Sequence, residues 1–69
     1  MSEAETLEGV RRCMATIALL EQQIFWMRER SQPYKEIARS LGLPQGTVAS
    51  KYDRAKKKIE ECLRAAGFL

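Results

Sequence analysis

Residues 34–66 read YKEIARSLGLPQGTVASKYDRAKKKIEECLRAA, and this stretch decides the fold. Ile37 and Leu41 lie four residues apart, which predicts a short helix with one apolar side. Gly42 stands where such a helix ends in a left-handed residue. Pro44 suits the opening turn of a second helix, because a missing N–H does no harm there. The stretch therefore predicts a short helix, a tight turn and a longer helix.

The longer helix carries an apolar stripe at steps of three and four residues, which is one face of a helix. Its members are Val48, Tyr52, Ala55, Ile59, Leu63 and Ala66. Small Ala38 lets the two helices approach closely. Together with Gly42 and Val48, it occupies the positions where a helix-turn-helix needs a small residue, a turn glycine and a buried aliphatic residue. Residues 34–66 are therefore predicted to form a helix-turn-helix.

The opposite face of the longer helix carries the functional signal. At about 100° per residue, Gly46, Ser50, Asp53 and Lys57 point away from the apolar stripe. Ala49 and Arg54 flank this face. With them included, its first half is small and uncharged, and its second half is basic. A recognition helix has this layout, because its first turns approach base edges while later cations meet phosphates. The alternative is the solvated face of an amphipathic helix in any small bundle.

Charge is distributed unevenly along the chain. Residues 1–32 hold four Arg and five Glu, for −1, and residues 33–69 hold eight Lys or Arg and four acids, for +4. The two halves sum to the net charge of +3. The basic excess thus lies in the predicted DNA reader, as expected for a polyanion partner. With 69 residues, the whole chain, 1–69, is expected to be a single small domain.

Several classes of function are disfavoured. The chain has no histidine and no glycine-rich phosphate loop, and its carboxylates are spread along predicted helices. We therefore expect no enzyme activity, no catalytic residue, no metal site and no cofactor. No apolar run approaches the ~20 residues of a membrane span, and no signal segment opens the chain. We expect a cytoplasmic protein in which Cys13 and Cys62 are reduced thiols, packed as small core residues.

Two further helices are predicted before the helix-turn-helix. A first apolar stripe predicts a helix over residues 4–17. A second stripe has a different phase, which indicates a break near residues 18–20. One continuous helix is the alternative, since no Pro, Gly or strong cap interrupts the segment. The stripes are Leu7, Val10, Met14 and Ile17, then Leu20, Ile24 and Met27. The predicted fold is all-α, a small four-helix domain with a C-terminal helix-turn-helix and a long recognition helix.

The remaining apolar residues are expected in the core. Phe25 and Trp26 are adjacent, and we place both in the core because a 69-residue domain needs its large side chains. The alternative is that one of them is an exposed aromatic anchor for a partner. Ser31 is predicted to cap the helix that follows, with Pro33 just inside it. The segment 67–69 is expected to end the last helix at its glycine and to fold its two apolar residues back on the core.

Four short runs carry a family resemblance. They are YKEIA at 34–38, LGLP at 41–44, GTVASK at 46–51 and RA at 54–55. They resemble region 4 of bacterial sigma factors, the C-terminal domain that recognises the promoter −35 element, and are most like the extracytoplasmic-function group. The resemblance covers about residues 17–63. The GTV-x-S run followed by RA is fairly specific, whereas EIA is shared with LuxR-type domains. Lys51 replaces a usual Arg, which keeps the charge but loses the bidentate fork.

The resemblance implies two sets of DNA contacts. Residues near the start of the longer helix match positions that approach bases: Gln45, Thr47, Ala49 and Ser50. Cations on both helices are expected to hold phosphates: Lys35, Arg39, Lys51, Arg54 and Lys57. For Lys35 and Arg39, solvated charge is an equal alternative.

The resemblance also implies partners. These are double-stranded promoter DNA and the flap of the RNA polymerase β subunit, the latter contacted through the helix near residues 19–30. An anti-sigma-like protein is a further partner of this kind, no membrane is expected, and the domain is expected to be a monomer. A whole sigma factor also needs a −10 reader. The chain is therefore either an excised region 4 or a stand-alone protein, and its start at Met1 favours the second.

Two other functions remain open. A LuxR-type transcription factor domain would dimerise through its last helix, so oligomeric state separates it from a sigma-like monomer. The second alternative is a sigma-4-like domain that binds proteins and no longer reads DNA. Asp53 favours the latter, because an exposed acid repels phosphates unless it reaches a cytosine amino group.

Overall fold

The protein is an all-helical domain in a computed structural model that describes residues 3–68. Four helices occur in this range: α1 (Glu3–Met14), α2 (Leu19–Glu29), α3 (Tyr34–Leu41) and α4 (Gln45–Ala65). No strand is found among these residues. The prediction of an all-α fold with a long final helix is confirmed.

Helix α4 is the element on which the other three pack. Cys13 of α1 is joined to Cys62, and Gly9 faces Phe68 just beyond α4. The earlier residue of α1, Gly9, meets the later partner, Phe68, so α1 runs antiparallel to α4. Helix α2 does the same, because its first turn contacts Lys58 and its last turn contacts Tyr52.

The core consists of two clusters on either side of Tyr52, which is half-buried and packs against both. One cluster joins α4 to α1 and α2, and the other joins α4 to α2 and α3. Their buried members are Cys13, Met14, Ile17, Phe25, Ala55, Ile59 and Leu63 in the first, and Ile24, Ile37, Ala38 and Val48 in the second. The predicted stripe of α4 is buried from Val48 to Leu63. Ala66 is exposed, because α4 ends one residue before it.

The break between α1 and α2 is confirmed and is held by side chains. The Thr16 hydroxyl donates to the Cys13 carbonyl at 2.7 Å, and Gln22 Nε2 donates to the Ile17 carbonyl at 3.0 Å. Ala18 is extended, with φ −61° and ψ 147°. α1 ends three residues before the predicted residue 17. The reason is local: the Thr16 backbone N–H bonds to a carbonyl three residues back rather than four.

The connection between α2 and α3 differs from the prediction. Ser31 does not cap α3; its φ is +67°, and its N–H donates to the Arg28 carbonyl at 2.9 Å. Pro33 precedes the first helical residue in an extended conformation, and it makes no side-chain cap bond. Ser31 instead terminates α2. Arg28 Nη1, which donates to the Gln32 carbonyl at 3.0 Å, reinforces this turn.

The turn of the helix-turn-helix is as predicted. Gly42 has φ +67° and ψ 34°, the left-handed conformation that disfavours residues with a Cβ. The Leu43 N–H then donates to the Ala38 carbonyl at 3.0 Å, which satisfies a terminal carbonyl of α3. Ala38 is buried, as the close approach of α3 and α4 requires.

Two large residues expected in the core are exposed. Trp26 is 37% exposed while its neighbour Phe25 is buried, because adjacent helical residues point about 100° apart and only one can face α4. Leu7 is 47% exposed. On α1, Gly9 rather than Leu7 faces the end of the chain. A Cβ on Gly9 would lie 2.8 Å from the Phe68 ring, so this glycine makes room for it.

The end of the chain turns at Gly67, which has φ +85°. Phe68 is half-buried against the first core cluster. The predictions that Gly67 ends the last helix and that Phe68 folds back are therefore confirmed. Leu69 lies outside the described residues.

Cys13 and Cys62 form a disulfide, so the prediction of two reduced thiols is wrong. The sulfur atoms are 2.09 Å apart and the Cα atoms 5.8 Å apart, across a sequence separation of 49 residues. The antiparallel packing of α1 on α4 brings the two residues together. Cys13 is buried within the first core cluster, as a small core residue was expected to be.

Reduction of this disulfide should lower the free energy of unfolding by roughly 4 kcal/mol, because the cross-link removes loop-closure entropy from the unfolded chain. Urea unfolding with and without a reductant, followed by Trp26 fluorescence, measures the change. A double variant, Cys13→Ala with Cys62→Ala, is the control and should not respond to the reductant. Equal unfolding midpoints for the oxidised and reduced protein would contradict the prediction.

Candidate nucleic-acid interface

The rotation of α4 is fixed by its buried side. Val48 and Ala55 are fully buried, which turns the opposite side of the helix outward. Gly46, Ser50, Asp53 and Lys57 all lie exposed on that opposite side, as the helical spacing predicts. We call these four residues the outer face of α4. Its first two members are uncharged, so the start of the helix is free of charge where it would first meet a partner.

The four residues predicted to approach bases fall into two groups. Gln45, the first residue of α4, and Ser50 are exposed, whereas Thr47 and Ala49 are half-buried. An added Cβ on Gly46 would meet nothing within 4 Å, so open space surrounds this turn. The two exposed members can extend hydrogen-bonding groups outward. The two half-buried members expose less of their side chains, each of which carries a methyl group.

The predicted phosphate ligands come from two helices. Lys35 and Arg39 of α3 are exposed, Arg54 and Lys57 of α4 are exposed, and Lys51 is half-buried. Lys57 is paired within its own helix, with its Nζ atom 3.4 Å from the Asp53 carboxylate. Because both side chains are well exposed, this pair contributes little to stability.

One cation of the basic run has a different role. Lys58 Nζ lies 3.6 Å from the Glu21 carboxylate of α2, and the Glu21 side chain is only 13% exposed. This ion pair joins α4 to the first turn of α2. Lys58 therefore holds two helices together, whereas its neighbour Lys57 points outward from the domain. Helical spacing predicted the outward direction of Lys57, but it did not predict that Lys58 pairs with Glu21.

Tyr52 anchors the middle of α4 to the end of α2. Its hydroxyl donates a hydrogen bond to Glu29 Oε1 at 2.9 Å. Burial raises the pKa of Tyr52 to about 12, and the hydrogen bond and negative charge of Glu29 act in the same direction. The sequence predicted Tyr52 as a core residue but did not identify Glu29. The sequence did indicate that the Tyr52 hydroxyl needs a polar partner, because a phenol on an apolar stripe is buried beside apolar residues.

Aromatic contacts extend this anchor to α3. The Tyr52 ring stacks on Phe25 with centroids 6.0 Å apart, and Tyr34 meets Tyr52 edge-on at 6.1 Å. The Arg28 guanidinium lies 4.5 Å from the centre of the Tyr34 ring. These contacts join the ends of α2 and α3 to the helix that carries the outer face.

A second exposed surface lies on α2, away from the outer face. Leu19 is 70% exposed and Trp26 is 37% exposed. With Gln23 and Arg30, they follow steps of four, three and four residues, which is one stripe of a helix. Beside this stripe, a shallow groove is lined by Gln23, Trp26, Met27, Arg30 and Leu41. We call Leu19, Gln23, Trp26 and Arg30 the α2 stripe.

Neither a metal-ligand cluster nor a membrane-spanning helix is found in the described range. Residues 3–68 contain no group of three or more potential metal ligands among His, Cys, Asp and Glu. In the same range, no helix combines the length and apolar character needed to cross a membrane.

Removing the Tyr52 hydroxyl should lower stability in a pH-dependent way. Because the folded state raises the pKa of Tyr52 above its ordinary value of 10.0, this contribution is complete below about pH 10 and is lost as pH rises towards 12. Tyr52→Phe should cost about 1 kcal/mol near neutral pH, the net value of one hydrogen bond. Urea unfolding of both proteins at about pH 8 and about pH 11 should show the difference shrinking. An equal difference at both pH values would contradict the prediction.

The comparison with protein families agrees with this geometry. A family model described as Sigma-70, region 4 matches residues 7–59, well over half of the chain. Searches among curated proteins and among solved structures found no significant match. The matched range includes the whole of α2 and α3 and the outer face of α4, and it supports the sigma resemblance rather than the LuxR-type alternative. The chain belongs to the sigma-70 region 4 family of DNA-binding helix-turn-helix domains, which serve transcription rather than catalysis.

Proposed function

We propose that this chain recognises a −35-like promoter element by placing α4 in the major groove, and that it also contacts RNA polymerase. The observation that carries the proposal is the exposed side of α4. The outer face is uncharged at Gly46 and Ser50, and the exposed cations Arg54 and Lys57 follow in the next turns. A helix-turn-helix presents such a face to DNA as a rigid unit. Residues 1–69 act as one domain in this proposal, as a monomer, in the cytoplasm where promoters and polymerase lie.

Base recognition is assigned to the first turns of α4. Gln45 can pair bidentately with adenine, and the Ser50 hydroxyl can donate to or accept from a base edge. Both are exposed. Ala49 and Thr47 are half-buried, which leaves their methyl groups for contact with thymine methyl groups.

Phosphate contacts are assigned to cations around these turns. Arg54 and Lys57 follow Ser50 by one to two turns, and Lys51 lies between them and the base-reading residues. Lys35 and Arg39 belong to α3, which packs across α4 in the manner of a helix that crosses the DNA backbone. Lys58 is left out, because its ammonium joins α4 to the largely buried Glu21 of α2, whereas the pair of Lys57 with Asp53 is exposed and lies within one helix.

The polymerase contact is assigned to the α2 stripe. Leu19 and Trp26 are exposed on the same side of α2, where they form a small apolar patch of the kind that can bind a protein partner. Membership of the region 4 family supports RNA polymerase as the partner, and we assign the contact to the flap of its β subunit. An anti-sigma-like protein that covered this stripe would compete with the polymerase.

The DNA contacts should separate into two kinds. Arg54→Ala should weaken binding to every duplex about equally and flatten the salt dependence by roughly one unit, because it removes one phosphate contact. Gln45→Ala should cost roughly 1–3 kcal/mol on the preferred duplex only, because it removes a base contact. Fluorescence anisotropy over a range of low salt concentrations measures both, on a duplex selected from a random library and on its scrambled version.

Arg64→Ala is the matched control for the DNA experiment. Arg64 is an exposed arginine in the last turn of α4, beyond the proposed interface, and its loss should leave the salt dependence nearly unchanged. If neither Arg54→Ala nor Gln45→Ala alters binding, the exposed side of α4, on which these residues border the outer face, is not a DNA surface. The protein-interaction function would then take its place.

The polymerase contact should depend on Trp26. Trp26→Ala should weaken binding to the isolated β-flap by roughly 30-fold, the loss typical of a buried aromatic anchor, while DNA affinity stays the same. Leu7→Ala is the control, because Leu7 is exposed on α1 outside the α2 stripe. Titration calorimetry measures the affinities. Equal effects of the two variants, or no binding of the unaltered protein at high micromolar concentration, would contradict the assignment.

A further inference from the structure

Asp53 is an unexpected residue on a DNA-facing surface. It is the only acid among residues 45–59, and cations surround it in sequence at Lys51, Arg54, Lys56 and Lys57. A carboxylate at the DNA backbone repels phosphates, so a surface that only gripped the backbone would gain nothing from it. Its position therefore needs a chemical explanation other than phosphate binding.

The geometry directs Asp53 to the same side as the base-reading turns. It follows Ser50 by three residues and Gly46 by seven, which places all three on one side of the helix. Its side chain is 66% exposed. The flanking residues Tyr52 and Ala55 are held in the core and by the hydrogen bond to Glu29, so α4 cannot rotate to move the carboxylate away.

The charge of Asp53 is already partly compensated. Its Oδ2 atom lies 3.4 Å from Lys57 Nζ, one turn further along the helix. This cation reduces the repulsion between the carboxylate and nearby phosphates. The second carboxylate oxygen remains available to accept a hydrogen bond from outside the protein.

The chemistry of an ionised carboxylate limits what it can bind in the major groove. It only accepts hydrogen bonds, and the bases offer donors there only at cytosine N4 and adenine N6. Adenine also presents its N7 acceptor beside that amino group, and guanine and thymine present acceptors that a carboxylate repels. Cytosine is thus the best match for an acid at this position.

We propose that Asp53 is a specificity-determining residue: it selects cytosine at one position of the DNA site by accepting a hydrogen bond from the N4 amino group. The inference rests on the proposed function, since it requires α4 to lie in the major groove. It also gives the Asp53–Lys57 pair a role, in which the lysine lowers the cost of bringing an acid close to the DNA.

Two substitutions and one control test the inference. Asp53→Asn removes the charge and adds an amide, which pairs best with adenine, so the preferred base at one position should change from cytosine to adenine. Asp53→Ala should lose roughly tenfold or more of the preference for cytosine there and should bind scrambled DNA more tightly. Selection from a random duplex library at low salt, followed by anisotropy on single-base variants of the selected site, measures both.

Glu60→Gln is the matched control. Glu60 is an exposed acid seven residues after Asp53, on the same side of α4 but two turns further from the base-reading residues. Its loss should strengthen binding to all duplexes by a similar small factor without changing any preferred base. If both Asp53 variants behave like Glu60→Gln, Asp53 is only a repulsive charge and the inference is overturned while the proposed function stands. If the unaltered protein prefers no duplex over its scrambled version, the proposed function fails and the inference fails with it.

Discussion

The packing of one side of α4 against the other three helices is the constraint on which the rest of the structure depends. Val48 at one end and Leu63 at the other are buried in two different clusters, so the helix is held along most of its length. Because one side of α4 is buried in the core, the helix cannot rotate, and the direction of every other side chain on it is fixed. The direction of the outer face follows from this packing. Contacts made by the residues of the outer face are not needed to orient it.

Tyr52 lies between the two clusters and adds a hydrogen bond to their apolar packing. Tyr52 touches both, and its hydroxyl reaches Glu29 at 2.9 Å. Apolar packing alone would tolerate small rotations of a helix, whereas a hydrogen bond has a narrow range of distance and angle. This bond joins α4 to the last turn of α2 at the residue directly before Asp53.

Local patterns in the sequence were sufficient for most of the fold. The left-handed Gly42 and the buried side of α4 follow from spacing and from backbone preferences that act over a few residues. The break near Ala18 could be predicted only from the change of phase between the two apolar stripes. The hydrogen bonds from Thr16 and Gln22 that hold it could not be predicted. Features that depend on short-range periodicity were thus predictable, and the bonds that fix them were less so.

Contacts between distant residues were not predictable. The disulfide joins Cys13 to a residue 49 positions away, and helical spacing alone carries no information on that pairing. The exposure of Trp26 depends on which of two adjacent aromatic residues α4 covers, which is a property of the packed helices. The distinction between Lys57 and Lys58 depends on the position of Glu21 in α2. For the proposed DNA surface, the sequence predicted candidate residues, and the structure shows which of these residues are exposed.

The central claim is that the outer face of α4 is the surface that meets DNA. The most direct test is an NMR titration of the whole chain with the selected duplex, in which backbone amide shifts are followed residue by residue. The largest changes are expected on α4 at Gly46, Ser50 and Asp53 and on the exposed side of α3, while the amides of the α2 stripe should change little. Shifts concentrated on the α2 stripe, with the outer face of α4 unchanged, would contradict it.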